Sequence, residues 1–121
     1  MIVLNSVEVT GTLGWRDVVR VAAGVPLTLS DAAWGRVAKA RGIVEAIVER
    51  GIHTYGVNTG VGALSDTVVD RASQRRLSRN LLMSHACATG PLLPAEEVRA
   101  IIAAQVNNFA HGHSGVRPGP R

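Results

Sequence analysis

Apolar positions recur along this chain with a helical period in its middle and C-terminal parts and with β-type spacing near its start. Residues 2–10, IVLNSVEVT, are short and rich in β-branched side chains. They predict a small strand pair or an extended arm. A short helix is expected from Trp15 to Ala23, ended by Gly24. Val25-Pro26-Leu27-Thr28-Leu29 reads as an extended connector, because Pro26 biases Val25 away from the helical region. The next helix carries stronger signals. Ser30 is a good N-cap, Asp31 complements the positive helix start, and Leu29 and Trp34 stand at the two positions of a hydrophobic staple. Its apolar stripe is Trp34, Val37, Val44, Ile47 and Val48, interrupted by Arg41 and closed by Gly51. Residues 55–62, YGVNTGVG, hold three glycines in eight positions and break every periodic pattern. Asp66 or Asp70 can cap a further helix running to about Ala88, with the stripe Leu77, Leu81, His85 and Ala88, before Gly90 stops it. Pro94 sits just inside the start of a last helix, where its missing N–H costs nothing. Val98, Ile101, Ile102, Gln105 and Phe109 are expected to form its buried face, and Gly112 to end it. The tail, GHSGVRPGPR, reads as loop. The chain is thus expected to be mainly α, one domain over residues 1–121, with a short extended or β piece at its N-terminus and one glycine-rich loop.

Composition narrows this picture. Of 121 residues, 46% are apolar, so a packed core is expected rather than disorder, but only 3% are aromatic, so that core rests on Val, Leu, Ile and Ala. The net charge is +4, and 12 of the 13 basic residues are arginine. A basic balance can signal nucleic acid. Here the arginines are spread out, except for Arg71, Arg75, Arg76 and Arg79, and no aromatic stacking platform accompanies them, so nucleic acid is not an expected partner. Cys87 is the single cysteine, which rules out an intrachain disulfide. No apolar run approaches the roughly 20 residues that span a bilayer, and the opening residues do not read as a secretory signal. A cytoplasmic protein without membrane contact is expected.

Several residues could carry chemistry. The loop Tyr55-Gly56-Val57-Asn58-Thr59-Gly60-Val61-Gly62 is neither a Walker A loop, since no Gly-Lys-Ser/Thr follows, nor a dinucleotide fingerprint. It either brings backbone close to a ligand and presents Tyr55, or is a structural connector with a packed tyrosine. His85 falls on an apolar stripe and is either a core histidine bonded to a backbone carbonyl or a pocket histidine at a helix end. Cys87 has no supporting constellation and is expected to be a small buried apolar residue. His111 and His113 form an H-x-H pair without further ligands at metal-binding spacing, so no metal site is expected. Asn107 and Asn108, beside Phe109, are expected to bond within the fold, with a site role as the alternative.

The order of these segments adds a further reading. TYGVNTGVGALSD, then LSRNLLMSHACATG, then VRAIIAAQVNNFAHGHSGVRP resembles the opening of the histidine and aromatic amino acid ammonia-lyases, and LTLSDAAWGRVAKARGIVEAIVERG is similar to the helix before their tyrosine loop. The resemblance covers nearly the whole chain and implies a helical N-terminal lyase-type domain. In that family ammonia is eliminated from an α-amino acid to give an α,β-unsaturated acid. The electrophile is a methylidene-imidazolone made by cyclising an internal Ala-Ser-Gly. By resemblance Tyr55 is the catalytic base and His85 contacts the substrate side chain. Asn58 and Gly62 match loop positions at the substrate. The chemistry explains the arrangement: a β-proton is weakly acidic, so its base must be held close and rigid, and backbone groups crowding the phenol can stabilise the phenolate.

This sequence also departs from the family pattern. The loop usually continues Gly-Phe-Gly-Lys, where Gly60-Val61-Gly62-Ala63 stands, and arginine usually stands at the position of Gln105. Both differences bear on pocket shape and local charge. No Ala-Ser-Gly occurs. The resemblance places that tripeptide, the arginine that binds the substrate carboxylate and the long central helices beyond residue 121. No cofactor is therefore expected from this chain itself, and the methylidene-imidazolone is expected only from a partner chain. The expected assembly is a hetero-oligomer with a chain carrying the rest of the lyase fold, or a homo-oligomer, acting on an amino acid substrate. A non-catalytic lyase-like partner protein and a fragment of a longer protein are the alternatives.

Overall fold

The computed structural model describes residues 6–119, so residues 2–5 of the expected extended segment and residues 120 and 121 of the tail lie outside it. The alternation at the start of the chain becomes a strand, β1 (Val7–Val9), with both valines buried and Glu8 outward. Full burial of a valine side chain is worth roughly 1.5–3 kcal/mol. The stretch read as a connector is a second strand, β2 (Leu27–Leu29), parallel to β1 with Val7 opposite Leu27 and Val9 opposite Leu29. Parallel neighbours need a crossover. Here it is α1 (Trp15–Ala22), which ends where Gly24 adopts φ +103° and turns the chain back.

α2 (Asp31–Glu49) starts as its sequence predicts: Ser30 Oγ accepts the Ala33 N–H at 3.2 Å. Val37 is buried with Ala33 and Ala40, while Trp34, Val44, Ile47 and Val48 are half-buried. α3 (Arg71–His85) is capped by Asp70 rather than Asp66, and ends about three residues before the expected Ala88 because Ala86 leaves the helical region at φ −79°, ψ +60°. α4 (Ala95–Ala110) begins after Pro94, which stands one position outside the helix instead of just inside it. The mainly helical architecture with one short strand pair is the fold class that the sequence predicts.

The chain forms two compact units. The first runs up to Gly42 and resumes at Leu92. Its core gathers Val7 with Val21 and Ala103, and Val9 with Ala33 and Ala110, with Leu13 and Leu27 packed on both groups. Arg36 fastens it, donating from Nε to the Ala110 carbonyl at 2.9 Å and from a terminal nitrogen to the Thr10 carbonyl at 2.6 Å. The buried face of α4 is a correction to the expected one. Ala103 and Ala110 are buried, Phe109 is half-buried, and Val98, Ile101, Ile102 and Gln105 are exposed. Small side chains let α1 approach α4 closely, and the bulky ones are left on uncovered surface. Asn107, which lies between those two alanines in α4, accepts the Leu13 N–H at 2.9 Å through Oδ1, so its amide serves the fold.

The second unit, Ile43–Pro91, has a different kind of interior. All eight buried apolar residues among those described belong to the first unit, whereas the buried side chains here are Asn58 and Thr59. Leu77 and Leu81 of α3 are half-buried, while His85 and Ala88 of its expected stripe are exposed. Cys87, expected to be buried, is exposed as well, because α3 has already ended and nothing among the described residues covers the segment that follows. No helix among the described residues is long and apolar enough to cross a membrane.

Candidate active site: the tyrosine loop

The loop between α2 and α3 is held by its own polar groups. Gly51 at φ +63° ends α2, and the chain then turns through Thr54. Asn58 is 2% exposed, and its amide works in both directions: Oδ1 accepts the Thr54 N–H and Nδ2 donates to the Ile52 carbonyl, each at 2.9 Å. Thr59 is fully buried, with Oγ1 accepting the Gly56 N–H at 3.2 Å and donating to the Gly60 carbonyl at 2.8 Å. A short antiparallel bridge between Thr59 and Val68 closes the base of the loop, with Val69 N–H to Asn58 carbonyl at 2.8 Å and Gly60 N–H to Thr67 carbonyl at 3.1 Å.

Tyr55 stands in the middle of this lattice. The N–H of the preceding residue, Thr54, is tied to Asn58, and the N–H of the following residue, Gly56, is tied to Thr59. The ring itself is 65% exposed, so it is presented rather than packed by this chain. Gly56 at φ +70° takes a backbone conformation costly for other residues. Gly60 is required for a different reason: a Cβ there would lie 2.6 Å from both Cβ and O of Leu64, in the single 3-10 turn Gly62–Leu64. Gly62 starts that turn at φ +59° and has open space where a side chain would stand.

The loop thus brings Tyr55, Asn58 and Gly62 into one hydrogen-bonded segment, with the Asn58 amide turned onto backbone. His85 lies apart in sequence at the C-terminal end of α3, exposed, with Nδ1 2.9 Å from the Leu81 carbonyl and 2.9 Å from Ser84 Oγ. It has the carbonyl bond of the core reading without the burial. Thr59 and Ser84 are the site neighbours that the sequence reading passed over. A Thr following an Asn in a glycine-rich loop, and a Ser beside a helix-end His, are the signals that mark them. Among the described residues no group of three or more His, Cys, Asp or Glu is placed to hold a metal ion.

An exposed phenol on a support whose flanking amides are both fixed suits proton transfer at a defined position. An imidazole at a helix end suits hydrogen bonding to a ligand group.

Comparison with known proteins relates this arrangement to a family. The aromatic amino acid lyase family model matches residues 13–119. The chain is 44% identical over 102 residues to the histidine ammonia-lyase of Caldanaerobacter subterraneus subsp. tengcongensis, covering 84% of this chain and 20% of that protein. It is 43% identical over 117 residues to the histidine ammonia-lyase of Treponema denticola, covering 95% and 23%. Among solved structures it superposes on the ergothioneine-degrading enzyme ergothionase of Treponema denticola with a TM-score of 0.88 at 37% identity, covering 93% of this chain and 23% of that one. It also superposes on tyrosine aminomutase from Streptomyces globisporus with a TM-score of 0.86 at 39% identity, covering 93% and 22%. This sequence spans about a fifth of the length of these relatives.

Proposed function

Because this chain belongs to the aromatic amino acid lyase family and covers the N-terminal part of its members, we propose that it carries the base-bearing part of a carbon–nitrogen lyase site completed by protein outside this sequence. The supporting observation is the double anchoring of Tyr55: two buried polar side chains fix the amides on either side of an exposed phenol. Tyr55 Oη takes the proton from the β-carbon of an α-amino acid as the C–N bond breaks, ammonia departs and the α,β-unsaturated acid forms. A related aminomutase would return the amine to the neighbouring carbon. His85 contacts the substrate side chain. Asn58 and Gly62 shape the loop against the substrate, Asn58 by holding the backbone that carries Tyr55. Relatives named for histidine and for tyrosine support a ring-bearing amino acid substrate.

The family's methylidene-imidazolone forms from Ala-Ser-Gly, which this sequence lacks. The residues present do not fit that group, and it enters here only as a property of the completing protein. That completion, by a second polypeptide or a further copy, is supported by the apolar side chains left on the surface of the Ile43–Pro91 unit, among them Ile52, Leu64, Val68, Leu82 and Met83. An exposed apolar surface of this kind marks an interface.

The test is reconstitution with a lyase polypeptide that supplies Ala-Ser-Gly, followed by absorbance of the unsaturated acid. Tyr55→Phe keeps the ring and removes the hydroxyl. It is expected to lower turnover by about 10²- to 10⁴-fold with assembly intact. Unchanged turnover would make the loop a structural relic and this chain a non-catalytic partner.

A further inference from the structure

The last turn of α3 contains a triangle of polar atoms that the proposed chemistry leaves unexplained. His85 Nδ1 is 2.9 Å from the Leu81 carbonyl oxygen and 2.9 Å from Ser84 Oγ, and Ser84 Oγ is 3.0 Å from the same carbonyl. A carbonyl oxygen only accepts, a hydroxyl can do both, and neutral imidazole has one donor and one acceptor nitrogen. With a lone pair on Nδ1, two acceptors would face each other across 2.9 Å, and the single Ser84 proton would have to serve both. With the proton on Nδ1, every side of the triangle joins a donor to an acceptor. Nδ1–H is shared between the Leu81 carbonyl and Ser84 Oγ, and Ser84 Oγ–H donates to the Leu81 carbonyl.

We propose that Ser84, together with the Leu81 carbonyl, locks His85 in the Nδ1–H tautomer, so that Nε2 is the ring's hydrogen-bond acceptor and Ser84 is a positioning residue for His85. Free imidazole side chains in water favour the opposite tautomer, so the triangle acts against the intrinsic preference of the ring. The ring nitrogen left without a partner in the triangle is the one a ligand can reach, and which nitrogen carries the proton is set by the bond the other makes. The relevance of this lock to substrate rests on His85 facing the substrate, as proposed above. The lock itself rests only on the three distances.

The test is 15N NMR of the full protein with labelled histidine rings, at a pH where the rings are neutral. His85 is assigned by the signals lost in His85→Gln. The expected result is a protonated-type Nδ1 and an unprotonated-type Nε2 in the unsubstituted protein. Ser84→Ala should shift the population toward Nε2–H, and Ser84→Thr, which restores a hydroxyl, should shift it back. A predominantly Nε2–H ring in the unsubstituted protein overturns the proposal, and so does a Ser84→Ala spectrum identical to it. The readout is the ring and not turnover, so the two proposals fail separately. A locked tautomer with no effect of His85→Leu on substrate preference in the reconstituted enzyme would remove the substrate role and leave the lock standing.

Discussion

Two side chains decide how firmly Tyr55 is held. Asn58→Ala strands the Thr54 N–H and removes one of two donors to the Ile52 carbonyl, whose other donor is Thr54 Oγ1. Leaving a buried polar group unpaired costs about 1–3 kcal/mol. If Tyr55 is the base, as proposed, the expected outcome after reconstitution is a loss of that size in denaturant stability, with a fall in kcat larger than any rise in KM, since the phenol is no longer fixed. A stability loss without a kinetic one would detach the loop from catalysis. The glycines make a graded pair. Gly62→Ala is expected to cost about 1–2 kcal/mol, the penalty of a side chain in the left-handed region. Gly60→Ala should cost more, because its Cβ would meet the Leu64 backbone oxygen at 2.6 Å and the 3-10 turn would have to move. Thermal melts of the two variants order them. Of the candidate site, the irregular loop that carries Tyr55 and the helix that carries His85 were legible in the sequence. The inward duty of Asn58 and Thr59 was not, because an amide in a loop has the same sequence signature whether it faces backbone or ligand.

At the scale of elements, start signals were legible because they act within one turn. Ser30 and Asp70 each accept the N–H three residues on. Hydrogen bonds from Ser73 hold the Asp70 carboxyl below its ordinary value of 3.8. A carboxyl depressed in the folded state contributes stability that is present above its unfolded pKa and lost as pH falls through the folded one. The first turn of α3 is therefore expected to loosen on acidification below the ordinary carboxylate range, read from the chemical shift of the Ser73 amide proton. Asp70→Asn, which caps without ionising, should flatten that dependence. The face of α4 was not legible. Periodicity selected its bulky apolar residues, but the core takes its alanines, Ala103 beside Val7 and Val21 and Ala110 beside Val9 and Ala33, and the aliphatic residues Val98, Ile101 and Ile102 are on the surface.

For the whole molecule, the distribution of burial is the controlling fact. The unit containing Tyr55 and His85 buries two polar side chains and leaves Leu82 and Met83 71% and 72% exposed. Leu82→Glu is accordingly expected to weaken association with the proposed completing protein by about tenfold or more, the equivalent of one leucine's burial, while leaving the helix content of this chain unchanged. Sedimentation of the variant and of the unsubstituted protein measures it, and equal association would place the interface elsewhere. The protein of this sequence alone is expected to form no urocanate, coumarate or cinnamate from histidine, tyrosine or phenylalanine, because it contains no Ala-Ser-Gly.

The amino-acid sequence by itself determined what depends on near neighbours: the helices to within a few residues, the cap at Ser30, a choice of two aspartates for the cap of α3, the glycine stops at positions 24, 51 and 112, and the irregular loop that presents Tyr55. Each of these is fixed by sterics or by a hydrogen bond spanning a few residues. The tertiary structure alone decided matters whose partners are distant along the chain. Residues 7–9 pair in parallel with 27–29, Arg36 reaches the end of α4, and Asn107 serves Leu13 across a separation of 94 residues. A helical stripe shows that a face can be buried, but the approach distance of another helix chooses which one. In α4 the small residues Ala103 and Ala110 take the buried positions, and the larger apolar residues are left on a surface that none of the described residues covers.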